Sequence, residues 1–351
     1  GGWRRVRILV VGDSYVPIEV FSEGLARLSG SHEIAYLQID QSGAFEPASE
    51  SELRIHEYAG DPEQVVRALT GHDVLVVHGA PVTDRVLSAA ELRLVCCARG
   101  GPVNIDTAAA TERGIPVVTT PGKNAESVAD QALAFMVMLA RRFPEAQRFL
   151  AGGNRAGGST FEGAQFFGHD LVGHTLGLVG FGNVGRRVAT RARAFGMRIL
   201  VHDPYLDAAD ADGVEWVESL PDLLGRSDFV SVHARATAEN SRLFDAAAFS
   251  AMKPGSYFLN TARETLVDEH ALADALASGH LAGAALDVVE PQAAPGPHPL
   301  LRHPNVVLTP HIGGATHETL LRGVEMIAAE IERFSAGEPL ENVADRAALL
   351  S

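Results

Sequence analysis

The sequence predicts an α/β protein of two domains, each built on a doubly wound parallel sheet. Three observations lead there. Short apolar runs bounded by Gly, Pro, Asp or Arg alternate with stretches of helical spacing along most of the chain. The alternation starts twice, at VRILVVGD (6–13) and again at HTLGLVG (174–180). The 351 residues, 46% of them apolar, are enough for two cores of ordinary size.

In order, VRILVVGD reads as a buried strand and VPIEVFSEGLARL as a helix. DVLVVHG (73–79), LRLVCCA (92–98) and IPVVTTP (115–121) are further strands. Between the last two, NIDTAAATERG offers an Asp or Thr cap, a helix and a glycine stop. NAESVADQALAFMVMLARR (124–142) predicts one long helix, apolar on more than one face in its middle and therefore buried by two partners. The Gly-rich AGGNRAGGSTFEG (151–163) reads as a loop or arm. The second block adds strands at 174–180, 197–203, 228–234, 255–262, 282–289 and 305–310. A last helix, 316–335, carries Leu320, Val324, Ile327, Ile331 and Phe334 at alternating spacings of four and three. That spacing makes one apolar stripe suited to docking on another unit.

A formal charge of −15 argues against nucleic acid as a partner, because phosphate backbones need a basic surface. A small anion held by a few local cations is compatible with it. Cys96 and Cys97 are adjacent on a predicted strand, so they point to opposite faces and make a poor pair of metal ligands. We read them as small buried residues in a reducing, cytoplasmic setting, with no metal. The longest apolar run, ALAFMVMLA at 132–140, is far short of the ~20 residues of a membrane span. No signal peptide is expected, and the leading Gly-Gly reads as an expression remnant.

GLVGFGNVGRR places Gly180, Gly182 and Gly185 in the order G-x-G-x-x-G, after a strand and before a helix. Gly180 permits the turn, Gly182 lets backbone approach a pyrophosphate, and Gly185 lets helix and strand pack closely. The triplet alone also fits a ligand-free turn, a flavin or a methyl-donor nucleotide. The next strand ends at Asp203, eighteen residues past Gly185. A carboxylate there accepts from an adenosine ribose and repels a 2′-phosphate, which favours NAD over NADP. Arg263 and His311 each follow a predicted strand, at the edge where open parallel sheets hold ligands. Thr261 and Ala262 share that edge through their backbone groups. Singly, such an arginine reads as a surface ion pair and such a histidine as a structural residue.

Together the motifs GLVGFGNVG, HDP, MKPGSYFLNTAR, VDEHAL, GAALDV and NVVLTPHIGGAT resemble the D-isomer-specific 2-hydroxyacid dehydrogenase family, over about residues 70–335. The family includes phosphoglycerate, glycerate/hydroxypyruvate, formate and phosphite dehydrogenases. The resemblance implies two Rossmann/flavodoxin-like domains with NAD and substrate in an interdomain cleft. It implies a substrate-binding domain of 1–121 plus 311–351 and an NAD-binding domain of 122–310. It implies that the helix after TTPG supports a homodimer. By the same resemblance Asn183 and Val184 lie along the pyrophosphate, and Ala234 and Asp287 lie near the nicotinamide, with Asp287 on its carboxamide. Gly313 joins the cofactor-binding set. Arg263 suits a cation for carboxylate and carbonyl, and His311 suits the acid that protonates a new hydroxyl.

Most of the family pairs that histidine with a glutamate, five residues after the aspartate. Here that place holds Gln292, while Glu290 is three residues after Asp287. The sequence leaves Gln292 as the expected partner of His311 and Glu290 as the alternative. An amide orients an imidazole without charge, which suits a detuned reductase. It also suits an oxidation that needs little acid–base help, as in the family's formate dehydrogenases, whose reaction transfers a hydride and releases carbon dioxide with no hydroxyl proton to manage. CARGGPVNID (97–106) occupies the family's substrate-anchoring turn. Gly100 and Gly101 allow an anion-holding nest, and Arg99 suggests a substrate with a second anionic group. Glu264 and Arg235 stand where glycine and proline are common in the family. The readings in competition are an NAD-dependent 2-hydroxyacid oxidoreductase, an enzyme of the same fold oxidising one-carbon or phosphonate/phosphite anions, and a dinucleotide sensor like the family's transcriptional corepressors. Retention of Arg263 and His311 counts against the sensor.

Overall fold

The computed structural model describes residues 5–39, 45–154, 160–206, 213–292 and 296–344. The chain forms two compact units, Gly1–Lys123 with Thr316–Ser351, and Asn124–Ala315. It re-enters the first unit at Thr316 and not at 311, so His311 and Gly313 fold with the second. Among the described residues no helix is long and apolar enough to cross a membrane.

Among its described residues the first unit holds five parallel strands: β1 (Arg7–Gly12), β2 (Glu33–Gln38), β3 (Val74–Val77), β4 (Leu94–Cys97) and β5 (Val117–Val118). Their order is β2-β1-β3-β4-β5. The two-residue period of the strands divides their side chains between two cores. Leu9, Val11, Leu75, Val77, Val95 and Cys97 face one, while Ile8, Val10, Val74, Val76, Leu94 and Cys96 face the other. The adjacent cysteines are thus split by the sheet, and both thiols are free. Helix His317–Ala336 lays Val324, Ile327, Ala328 and Ile331 into the second of these cores, so its stripe docks inside its own unit. Gly24 permits this approach, since a Cβ there would lie 2.6 Å from Val324 Cγ1.

Two strand expectations differ from the structure. EIAYLQ forms β2, which the apolar-run reading passes over because an edge strand is only half covered. IPVVTTP gives only two ladder residues, because the chain after Val118 turns to the C-terminal segment: Thr119 N–H donates to Asn342 O (2.9 Å) and Ala344 N–H to Val117 O (2.8 Å).

Among its described residues the second unit holds seven parallel strands: β6 (Thr175–Val179), β7 (Arg198–His202), β8 (Glu215–Trp216), β9 (Phe229–Val232), β10 (Ser256–Asn260), β11 (Leu281–Leu286) and β12 (Val306–Leu308). The order is β12-β11-β10-β9-β6-β7-β8. Direction along the sheet reverses between β6 and β9, the position at which doubly wound sheets take ligands. β8, two residues at the edge, is a further strand the pattern did not mark. The long helix runs only from Ala125 to Ala140. Arg142 then takes a left-handed φ of 55°, and a new helix, Phe143–Ala151, begins with Pro144 in its first turn. Pro144 lacks the N–H needed to continue the earlier helix but is well placed at the start of the next. Of the glycine-rich 151–163 segment, 155–159 lie outside the described residues.

Helix Ala125–Ala140 buries Ala132, Phe135, Met136 and Leu139 against Leu176, Leu178, Phe229 and Tyr257 of the sheet. Its other neighbour is helix Asn183–Ala194, tied to it by Glu126, which takes Arg187 and Arg191 (2.5 and 2.7 Å). The Arg191 and Arg187 hydrogen bonds hold the Glu126 carboxyl below its ordinary range.

Candidate active site

Because every pair in the seven-stranded sheet is parallel, all its carboxyl ends lie along one edge. That edge carries Gly180 after β6, Asp203 after β7, Arg235 after β9, Arg263 after β10, Asp287 after β11 and His311 after β12.

The glycine loop has the constraints its spacing implies. Gly180 sits at φ 97°, and a Cβ there would come within 2.7 Å of Ala234 N and His233 C. A Cβ on Gly185 would lie 2.3 Å from Gly180 O, so helix Asn183–Ala194 and the loop touch backbone to backbone. At Gly182 a Cβ would meet nothing within 4 Å. The first two glycines are therefore demanded by the fold, whereas Gly182 leaves an open cradle at the start of a helix whose first amides point outward. Asp203 accepts from Phe181 N–H (2.9 Å) and Tyr205 N–H (3.0 Å) and keeps acceptor capacity on both oxygens.

A hollow of about 380 Å³ opens within this unit, lined by Val184, Ala234, Arg235, Thr261, Ala262 and Arg263 among others. Thr261 is 8% exposed, and its hydroxyl has no partner among the described residues. An open glycine cradle, a carboxylate at the end of the next strand and an orphan hydroxyl fit a dinucleotide. A larger hollow, about 520 Å³, lies near Tyr257, Ala282 and Asn305, at the opposite, amino edge of the sheet, where no glycine loop stands. Topology, not volume, selects the first.

Asn260 sets the direction of Arg263. Its buried amide donates to Arg263 O (2.8 Å) and accepts from Ala262 N–H (3.0 Å). The Arg263 guanidinium is exposed, with Nη1 on Ala262 O (2.7 Å). His311 is also exposed and has a left-handed φ of 56°. Its imidazole makes no hydrogen bond among the described residues; the backbone N–H of His311 donates to Asp287 O (2.8 Å). The Asp287 carboxylate, 2% exposed, accepts from Gln131 Nε2 (3.0 Å), Thr309 Oγ1 (2.5 Å), Ile312 N–H (2.9 Å) and Gly313 N–H (2.8 Å). Asp287, expected on the nicotinamide carboxamide, thus brackets the turn that carries His311, and the Gly313 amide is engaged in the same bracket.

Neither expected partner of His311 reaches it here. The Gln292 amide, oriented so that both its groups are satisfied, donates to Gly296 O and accepts from His298 N–H, each at 3.2 Å. Glu290 turns its N–H to the Glu269 carboxylate (2.6 Å). Glu269 also meets His298 Nε2 at 3.2 Å, and burial raises its pKa against the Glu290 amide and His298. His298 Nδ1 accepts from Leu300 N–H (3.3 Å), which puts the proton on Nε2. These contacts fix the loop after β11 from within, and Gln292 makes its bonds there and not to the imidazole. Residues 293–295 of this loop lie outside the described residues.

In the first unit, Arg99 already has an anion: its guanidinium bonds the Glu57 carboxylate and Glu57 O. At Gly100 and Gly101 a Cβ would meet nothing within 4 Å, so the turn is open on that side. Nearby Lys123 donates to Ala98 O (2.6 Å), and burial pulls its pKa down to about 8. Asp13 is 2% exposed and takes His78 Nδ1 (2.9 Å) with the amides of Tyr15, Val16 and Gly79. Burial acts to raise its pKa, and His78 with the Val16 and Tyr15 amides brings it below the ordinary 3.8. Sequence reasoning missed Lys123, Asp13, Gln131 and Thr309. Only Thr309, a polar residue at the end of an apolar run, left a local trace.

Residues 133–313 match the family model described as D-isomer specific 2-hydroxyacid dehydrogenase, NAD binding domain. The chain is 37% identical over 335 residues to a glyoxylate reductase of Korarchaeum cryptofilum, covering 95% of each. It is 36% identical over 310 residues to a D-3-phosphoglycerate dehydrogenase of Methanocaldococcus jannaschii, covering 85% of this chain but 58% of that one. It therefore spans little more than half the length of that relative. Among solved structures, the TT0316 protein of Thermus thermophilus superposes with a TM-score of 0.74 at 34% identity, covering 97% of this chain and 100% of that chain.

Proposed function

The chain belongs to the D-isomer-specific 2-hydroxyacid dehydrogenase family, which uses NAD, and on that premise we propose that it interconverts a small anionic 2-hydroxy acid and its 2-oxo acid. The observation that carries this reading is the placement of Gly182, Asp203, Arg263 and His311 just beyond four strands of one sheet, at one edge. NAD, when bound, supplies or accepts the hydride at the acid's second carbon.

The chain's own residues do the rest. The cradle at Gly182 and the helix start at Asn183 hold the pyrophosphate, and Asp203 takes the ribose hydroxyls. Arg263 binds the substrate carboxylate through its fork of donors and draws electron density from the carbonyl oxygen. His311 gives a proton to that oxygen in reduction and removes it in oxidation. Asp287 keeps the His311 turn in place. Gln292 acts on the loop after β11 and not on the imidazole, so His311 works without a charged partner among the described residues.

The test is NADH oxidation at 340 nm with glyoxylate, hydroxypyruvate, 2-oxobutyrate and oxaloacetate, beside NAD reduction with formate and phosphite. We expect turnover on the order of 1 s⁻¹ or more with at least one 2-oxo acid, and loss of about 1,000-fold in kcat/KM in Arg263→Ala. Binding of NADH without turnover of any 2-oxo acid contradicts the proposal, as does oxidation of formate or phosphite alone.

A further inference from the structure

Val232 on β9 and Asn260 on β10 are paired, and three residues beyond each stands an arginine, Arg235 and Arg263. Both arginines line the 380 Å³ hollow, and among the described residues no aspartate or glutamate lines it with them. Its third titratable neighbour, His233, is pushed down to about 4 by burial and is neutral at pH 7. Two guanidiniums therefore set the charge of this hollow, in a chain whose net charge is −15.

Arg235 contrasts with several other arginines of its unit in how it is held. Arg191, Arg226 and Arg242 each have carboxylate partners. The Arg235 guanidinium has none among the described residues. Its backbone is nonetheless fixed. Asn240 Nδ2 donates to Arg235 O (2.8 Å), and Asn240 Oδ1 accepts from Thr237 N–H (2.8 Å). Two like charges directed into one hollow repel unless an anion lies with them. The unpartnered Thr261 hydroxyl in the same wall is an independent sign of a ligand there.

We propose that Arg235 is a specificity-determining residue that holds the distal acidic group of a dianionic 2-oxo or 2-hydroxy acid, while Arg263 holds the proximal carboxylate. This rests on the function proposed above. It moves the contact for a second anion from Arg99, whose charge Glu57 occupies, to the second unit. The pyrophosphate has its own donors at the glycine loop, so the acid is the ligand left for Arg235.

The experiment compares two acids of equal carbon count, oxaloacetate and 2-oxobutyrate, in the full chain and in Arg235→Ala, Arg235→Gln and Arg235→Lys. NADH affinity is read separately by fluorescence. We expect the wild type to favour oxaloacetate, and the ratio of the two kcat/KM values to fall roughly 30-fold in the Ala and Gln variants. Lys restores part of it, since charge returns without the fork. An unchanged ratio overturns the inference. So does a rise in the NADH Kd that accounts for the whole loss, which would assign Arg235 to the dinucleotide's phosphates. If the wild type turns over 2-oxobutyrate and the variants keep its ratio, only this inference fails. If it turns over no 2-oxo acid, the proposed function fails with it.

Discussion

The carbonyl of Asp287 accepts the amide hydrogen of His311 at 2.8 Å, while the carboxylate of the same aspartate takes Thr309, Ile312 and Gly313 on either side of it. One buried residue therefore holds a histidine in a left-handed conformation that costs roughly 1 kcal/mol or more. The exposed imidazole owes its position to this bracket and not to any contact of its own.

Asp287→Ala should accordingly lower stability by about 3 kcal/mol or more, because it leaves buried amide donors unpaired. It should also cost at least ~100-fold in kcat, the effect of a displacement of about 1 Å at a reacting group. Urea melts and single-turnover rates measure the two. A variant of wild-type stability would show that the bracket carries no weight.

Gly182→Ala separates the cofactor from the fold. A methyl group there meets nothing within 4 Å, so the variant should melt within about 1 °C of wild type while NADH binds at least ~10-fold more weakly. Gly185→Ala, with its Cβ 2.3 Å from Gly180 O, should instead lose stability outright. Equal NADH affinity in Gly182→Ala and wild type would remove the pyrophosphate from this cradle.

Gln292→Glu tests whether the amide serves its loop or the imidazole. A carboxylate cannot donate to Gly296 O, so one of the two loop contacts is lost. The account expects a looser loop, seen as faster proteolysis near 290–298, and a pH profile of reduction that does not move. Extension of that profile to higher pH would return Gln292 to His311.

The legible parts of this site are those whose constraint is local. Gly180, Gly182 and Gly185 stand at fixed offsets because one turn needs them, and Arg263 and His311 announce themselves by following apolar runs. The bracket around His311 was not legible in the same way: Gln131 meets Asp287 across 156 positions, and nothing in either neighbourhood refers to the other. Gln292 shows the limit of a correct offset. It stands where the family's acid stands, yet Gly296 and His298 compete for it. In the fold, β2 escaped notice because edge strands need not be continuous apolar runs. The long helix ends two residues short of the expected 142, because the left-handed turn at Arg142 that starts the next helix has no local signature.

His233 gives a pH prediction of definite sign. Burial lowers its folded value to about 4 from an ordinary 6.5, so between those values the unfolded chain binds more protons and stability falls as pH falls. His233→Gln should flatten this limb by up to about 1.4 kcal/mol per pH unit, with no difference above pH 7 in slope. Urea melts from pH 7 to 4 measure it. Parallel curves would mean that the imidazole is not held neutral.

The most direct measurement of the central claim is a crystal structure of the chain with NADH and oxamate, an unreactive 2-oxo acid analogue. The account predicts the Arg263 guanidinium on the oxamate carboxylate and the His311 imidazole on its amide carbonyl, both at about 2.7–3.2 Å, with the dinucleotide along Gly182 and Asp203. Oxamate bound with either side chain more than about 6 Å away, or NADH seated elsewhere than the glycine loop, would contradict it.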